Sequence, residues 1–144
     1  MKTILVAEDR DSSRELLTIV LTAAGYAVVG ASDGEDALAR IAEAPVDLVI
    51  LEIHMPRLDG FGVLRHLRAD PAYANLPVIA VTASAMAGER DSIIAAGFSE
   101  YISKPVNMSL LRREIARLLE ERRDVPRQLE DERRDVWRRE ENKQ

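Results

Sequence analysis

Short aliphatic runs at residues 4–7, 27–31, 48–51 and 78–81, with a weaker one at 101–102, recur about every 20 to 30 residues, and this rhythm constrains the fold more than any other feature. Three of the runs are apolar without alternation, as expected of strands covered on both faces. Between them the apolar residues take helical spacing instead. The first helix is expected from Asp11 or Ser12, where Ser12 and Glu15 match a capping box. Leu16, Leu17, Ile19, Val20, Leu21 and Ala24 form its apolar face and Gly25 ends it. Asp33-Gly34 opens a second helix, and a third runs from about residue 60 to 68. A fourth runs from about Met86 to Ala96 with Gly97 as its stop, and a fifth from about Asn107 past Leu119. Five βα units with parallel strands need crossovers, which are right-handed in nearly all proteins, so the expected architecture is an open, doubly wound α/β sheet. Residues 25–30 lack the GxGxxG pattern, and a dinucleotide-binding version of that fold has no fingerprint here.

A chain of 144 residues with 47% hydrophobic side chains buries one core and is too short for two. The formal charge of -5 argues against direct binding to nucleic acid or to an anionic lipid surface. Cysteine is absent, which removes disulfides, thiol nucleophiles and cysteine metal sites. No apolar run has the length of a membrane span or of a signal peptide, so a cytoplasmic location without membrane insertion is expected. From Glu120 onward the composition changes: nine residues are acidic and eight basic, and Val125, Leu129, Val136 and Trp137 are the only large apolar side chains. The expected division is a folded domain at residues 1–121 and a charged tail at 122–144. The tail is either a solvated extension or a docking or dimer-forming helix anchored by Trp137.

In an open parallel sheet, ligands bind beyond the carboxyl ends of the strands. Four of the five runs end in polar chemistry: Glu8-Asp9 after the first, Glu52 after the third, Thr82 after the fourth and Lys104-Pro105 after the fifth. If strands one and three are neighbours, three carboxylates meet in one cleft. Two such charges about 4 Å apart repel by about 4 kcal/mol at an effective dielectric of 20, and a bound cation relieves this. Magnesium suits oxygen donors of this kind.

The combination of Glu8-Asp9, Met55-Pro56-Arg57-Leu58-Asp59-Gly60, Thr82-Ala83 and Lys104-Pro105 resembles the receiver domain of bacterial two-component response regulators, in order and spacing, over roughly residues 2–121. With no output domain after it, the chain looks like a stand-alone receiver. The resemblance implies a flavodoxin-like (βα)5 sheet with strand order 2-1-3-4-5. It also implies magnesium held by Glu8, Asp9, the acceptor carboxylate at position 52 and the main-chain carbonyl of His54. Thr82 matches the hydroxyl that turns toward the phosphoryl group and Lys104 the ammonium that neutralises it. Tyr101 matches the aromatic switch, and the Lys104-Pro105 peptide would be cis. The implied partners are a sensor histidine kinase or phosphotransfer protein and a downstream signalling protein, with a homodimer as an alternative. Catalysis would be limited to slow self-phosphorylation and dephosphorylation.

One position departs from the family. The phosphoryl acceptor is Asp there and Glu52 here. The extra carbon moves the carboxylate outward by up to about 1.5 Å, and a misplacement near 1 Å costs about a hundredfold in rate. Phosphorylation at Glu52 is therefore expected to be slow or absent. Alternatively, the longer side chain meets Lys104 and partly mimics the phosphorylated state, with one charge and two oxygens against about two charges and three oxygens. Two other functions remain open: a phosphate-independent adaptor acting through the tail, and a magnesium-dependent phosphohydrolase using the same cleft. His66 reads as a surface imidazole, Met86 as core filling, and Arg10 as a cation at the cleft rim that competes with a metal for the acids.

Overall fold

The computed structural model describes residues 1–83 and 89–123. Five strands, β1 (Thr3–Ala7), β2 (Ala27–Ala31), β3 (Leu48–Glu52), β4 (Val78–Thr82) and β5 (Glu100–Ser103), alternate with five helices. These are α1 (Asp11–Ala23), α2 (Gly34–Glu43), α3 (Gly60–Ala69), α4 (Glu89–Ala96) and α5 (Met108–Arg123). All strand pairs are parallel, in the order β2-β1-β3-β4-β5. This is the expected doubly wound sheet.

Alternate residues along each strand serve opposite cores. Leu5, Ala7, Val49, Leu51, Val78 and Ala80 face Ala37 and Ile41 of α2, Val63, Leu64 and Leu67 of α3, and Ile93 of α4. Ile4, Val6, Leu48, Ile50, Ile79 and Val81 face Leu17 and Leu21 of α1 and Leu111, Ile115, Leu118 and Leu119 of α5. Because both faces are covered, β3 and β4 are buried throughout, which is why their sequences show no polar alternation. Burying each large aliphatic side chain contributes about 1.5–3 kcal/mol.

The ends of the helices follow from local chemistry in most places. Asp33 caps α2 by accepting from the Asp36 N–H at 2.7 Å, and Asp59 caps α3 by accepting from the Gly62 N–H at 2.8 Å. Asn107 caps α5 through its side chain, which accepts from Leu110 N–H at 3.1 Å. Gly25 and Gly97, at φ 97° and 115°, take the left-handed conformation just past α1 and α4.

Helix α1 departs from expectation twice. It starts at Asp11 with Arg10 at the N-cap and no side-chain cap, so Ser12 and Glu15 form no capping box. Only three residues separate it from β1, and the chain enters the helix before Ser12 reaches a capping position. Its predicted apolar face is also too wide. Leu17 and Leu21 are buried, whereas Leu16 and Ile19 are 52% and 59% exposed, because the sheet and α5 cover a narrower stripe than six apolar residues span. The expected start of the fourth helix at Met86 and the tail anchor Trp137 lie outside the described residues.

Candidate functional site at the carboxyl ends of the strands

The parallel register carries Glu8, Glu52, Thr82 and Lys104 to one end of the sheet. Ala7 pairs with Leu51, so Glu8 and Glu52 follow at the same level, and Thr82 pairs with Ser103, the residue before Lys104. The Lys104 N–H donates to the Thr82 carbonyl at 2.9 Å, which ties the start of the β5–α5 loop to the end of β4. The Lys104-Pro105 peptide is cis. Lys104 Nζ then reaches across the sheet to Glu8 Oε2 at 2.9 Å and lies 3.6 Å from Glu52 Oε2. One ammonium thus bridges two carboxylates, whose side chains are only 3% and 7% exposed.

The two contacts are unequal. Glu8 takes the hydrogen bond, whereas Glu52 Oε2 is buried and accepts none. At 3.6 Å the attraction between Lys104 and Glu52 is about 4–5 kcal/mol at an effective dielectric of 20. It does not compensate for burial. Desolvation pushes the Glu52 carboxyl above its ordinary value, Glu8 pushes it the same way, and Lys104 and His54 oppose them without reversing the direction.

The loop after Glu52 is folded back tightly. A side chain at Gly60 would place its Cβ 2.7 Å from the Glu52 carbonyl oxygen, and the Gly60 N–H donates to the Ile53 carbonyl at 2.8 Å. Arg57 takes a left-handed φ of 69° and pairs with the α2 cap Asp33 at 3.4 Å. Sequence reasoning missed this latch, for which the only signal was a basic residue in the loop opposite a capping Asp.

The remaining predicted residues are placed less closely. Thr82 is fully buried at the end of β4. Tyr101 packs against the α2–α3–α4 core, and burial together with Glu89 raises its phenol above the ordinary value. Asp9 and His54 are exposed, and Asp9 makes no hydrogen bond or ion pair among the described residues. Arg10 meets Glu8 through its backbone, whose N–H donates to Glu8 Oε1 at 3.2 Å, and not through its guanidinium. His66 is exposed on α3. Among the described residues no three acidic or imidazole side chains form a metal-binding group. In place of a nest of three carboxylates there is an amine-bridged pair beside a free Asp9.

A family model for the response regulator receiver domain matches residues 4–116. The chain belongs to that family. Response regulator PleD of Caulobacter vibrioides is 38% identical over 108 residues, covering 75% of this chain and 24% of PleD. The chain therefore spans about a quarter of that relative's length. Polar-differentiation response regulator DivK of Brucella anthropi is 34% identical over 107 residues, covering 74% of this chain and 87% of DivK. Among solved structures, response regulator TrrA of Thermotoga maritima, in complex with Mg(2+)-BeF, superposes with a TM-score of 0.73 at 33% identity, covering 82% of this chain and 99% of TrrA. The receiver domain is thus a module of two-component signalling. No helix among its described residues is long and apolar enough to cross a membrane.

Proposed function

We propose that this receiver switches protein–protein contacts in a phosphorelay, and that Glu52 makes it a poor phosphoryl acceptor already biased toward the active arrangement. One observation carries the reading: a buried carboxylate oxygen at the acceptor position, 3.6 Å from Lys104 and without a hydrogen bond. Glu52 Oε2 faces the Lys104 ammonium as an ion pair but is fixed by no hydrogen bond. It also lies within electrostatic reach of the ammonium that would neutralise a phosphoryl group. Its single charge lets it stand in for that group in part.

The donor set fits magnesium. Glu8, Asp9, Glu52 and the His54 carbonyl would hold it with the hard oxygens that ion prefers, and the buried Glu52 oxygen has no hydrogen bond to give up. Magnesium, when bound, would supply charge neutralisation to these carboxylates. Lys104 holds Glu8 in place, the hydroxyl of Thr82 at the end of β4 serves as donor to a bound oxyanion, and Tyr101 reports the change on β5. A histidine kinase or phosphotransfer protein is the phosphoryl source this chemistry calls for, with a downstream signalling protein as the reader. We assign the receiver to residues 1–121 and regard 122–144 as an appended segment, in the cytoplasm. No observation favours the adaptor or the phosphohydrolase reading.

The test compares the chain with Glu52→Gln, which keeps length and removes charge. Amide NMR resonances of Thr82, Tyr101 and their β4 and β5 neighbours shift if the charge biases the switch. Identical spectra at these positions reject the bias.

A further inference from the structure

We propose that Arg14 is the positioning residue of the acidic pair, fixing the direction in which Asp9 presents its carboxylate to a divalent cation. The cation belongs to the function proposed above, on which this inference rests; the restraint on the loop does not.

Asp9 lies in the three-residue loop between β1 and α1 and makes no side-chain hydrogen bond or ion pair among the described residues, so its direction is decided by the peptide planes on either side. Both planes are held through Glu8. The Glu8 N–H donates to the Ala31 carbonyl of β2 at 3.0 Å. On the far side of Asp9, the Arg10 N–H donates to Glu8 Oε1 at 3.2 Å. The plane between Glu8 and Asp9 is held by Arg14, whose Nη1 donates to the Glu8 carbonyl at 2.7 Å. This bond is short and charge-assisted, and the planar guanidinium fixes its angle as well as its length.

Two further features show that the arginine is built into this position. Its second nitrogen is braced by Asp11 at 2.5 Å, so the acidic residue in the first turn of α1 is directed to Arg14, and the helix has no side-chain cap. Its stem lies across β2 at Gly30, where an added Cβ would stand 3.4 Å from Arg14 Cδ. The guanidinium side chain is 23% exposed, whereas Asp11 is 89% exposed, so the brace is at the surface and the bond to Glu8 is sheltered. Arg14 grips a carbonyl and takes no acidic oxygen of the pair, whereas Lys104 takes Glu8 Oε2. It restrains the loop without competing for the metal.

The experiment uses the full chain and three variants: Arg14→Ala; Arg14→Lys, which retains a donor; and Gly30→Leu, which crowds the arginine stem from a different strand. Amide hydrogen exchange is measured without metal, and magnesium affinity by calorimetry. Arg14→Ala is expected to speed exchange at Asp9 and Arg10 while β3 amides keep their protection, and to weaken magnesium by about tenfold, as loss of a ligand-orienting partner does. Arg14→Lys recovers part of both effects, and Gly30→Leu reproduces them with Arg14 intact. Unchanged exchange in Arg14→Ala and Gly30→Leu overturns the proposal, as does unchanged magnesium affinity in a parent chain that binds the ion. Should the parent chain fail to bind magnesium while exchange still responds, the metal reading falls and the restraint by Arg14 stands.

Discussion

Replacing Lys104 by Met removes the one ammonium shared by Glu8 and Glu52 and leaves two buried carboxylates facing each other. At 2.9 and 3.6 Å the lost attractions are about 6 and about 5 kcal/mol at an effective dielectric of 20, offset by the desolvation no longer required of the ammonium. Breaking buried pairs of this kind costs about 3–5 kcal/mol net, and because Lys104 keeps 21% of its surface in water the lower end, about 3 kcal/mol, is expected. The pH dependence has a definite sign. Glu52 already has a carboxyl raised above its ordinary value by burial and by Glu8, against the opposing pull of Lys104. An acid with a raised folded value contributes stability below its unfolded value and loses it as pH rises through the folded one. Removing Lys104 raises that value further. The deficit of Lys104→Met is therefore greatest at neutral pH and shrinks as pH falls toward the ordinary glutamate range, and adding Glu52→Gln recovers part of it. Urea unfolding in chelator at pH 7.5 and 5.0 compares the parent chain, Lys104→Met and the double variant. A deficit below about 1 kcal/mol at pH 7.5, or one that grows on acidification, refutes the reasoning.

Three other outcomes follow from the geometry. Gly60→Ala forces a methyl to 2.7 Å from the Glu52 carbonyl oxygen, and should cost about 1–3 kcal/mol in denaturant unfolding. Gly25→Ala, with open space around it but a φ of 97°, should cost about 1 kcal/mol from backbone strain alone. The Tyr101 phenol should titrate above the ordinary tyrosine value, as burial and Glu89 dictate, and Glu89→Gln should lower it; the ultraviolet difference from Tyr101→Phe isolates the signal.

The strands were legible because burial on both faces removes polar residues from them, and that pattern is local. The Asp33 cap acts within three residues of itself, and Gly25 and Gly97 mark helix ends that only glycine enters freely. The cap of α1 was misread for the opposite reason, although the helix starts at Asp11 as expected. The Ser12 and Glu15 pattern is local, but the length of the loop after β1 and the pull of Arg14 on the Glu8 carbonyl are tertiary. The breadth of the α1 apolar face was likewise decided by what packs on it, leaving Leu16 and Ile19 exposed. At the site, the strand-end positions announced Glu8, Glu52, Thr82 and Lys104. The sequence did not show that Lys104 would hydrogen-bond Glu8, 96 residues away, in preference to Glu52. Nor could it show Arg57 fastening the loop to Asp33, which takes form only once α2 and α3 lie side by side.

The proposed switch depends most on position 52 being the place where a phosphoryl group belongs. Intact-mass measurement after incubation with acetyl phosphate and magnesium, on the chain as it stands and on Glu52→Asp, tests this directly. Little or no added phosphoryl mass is expected on the parent chain, and stoichiometric, magnesium-dependent addition to the Asp variant at that residue. An Asp variant that stays unlabelled, or that is labelled at another residue, contradicts it.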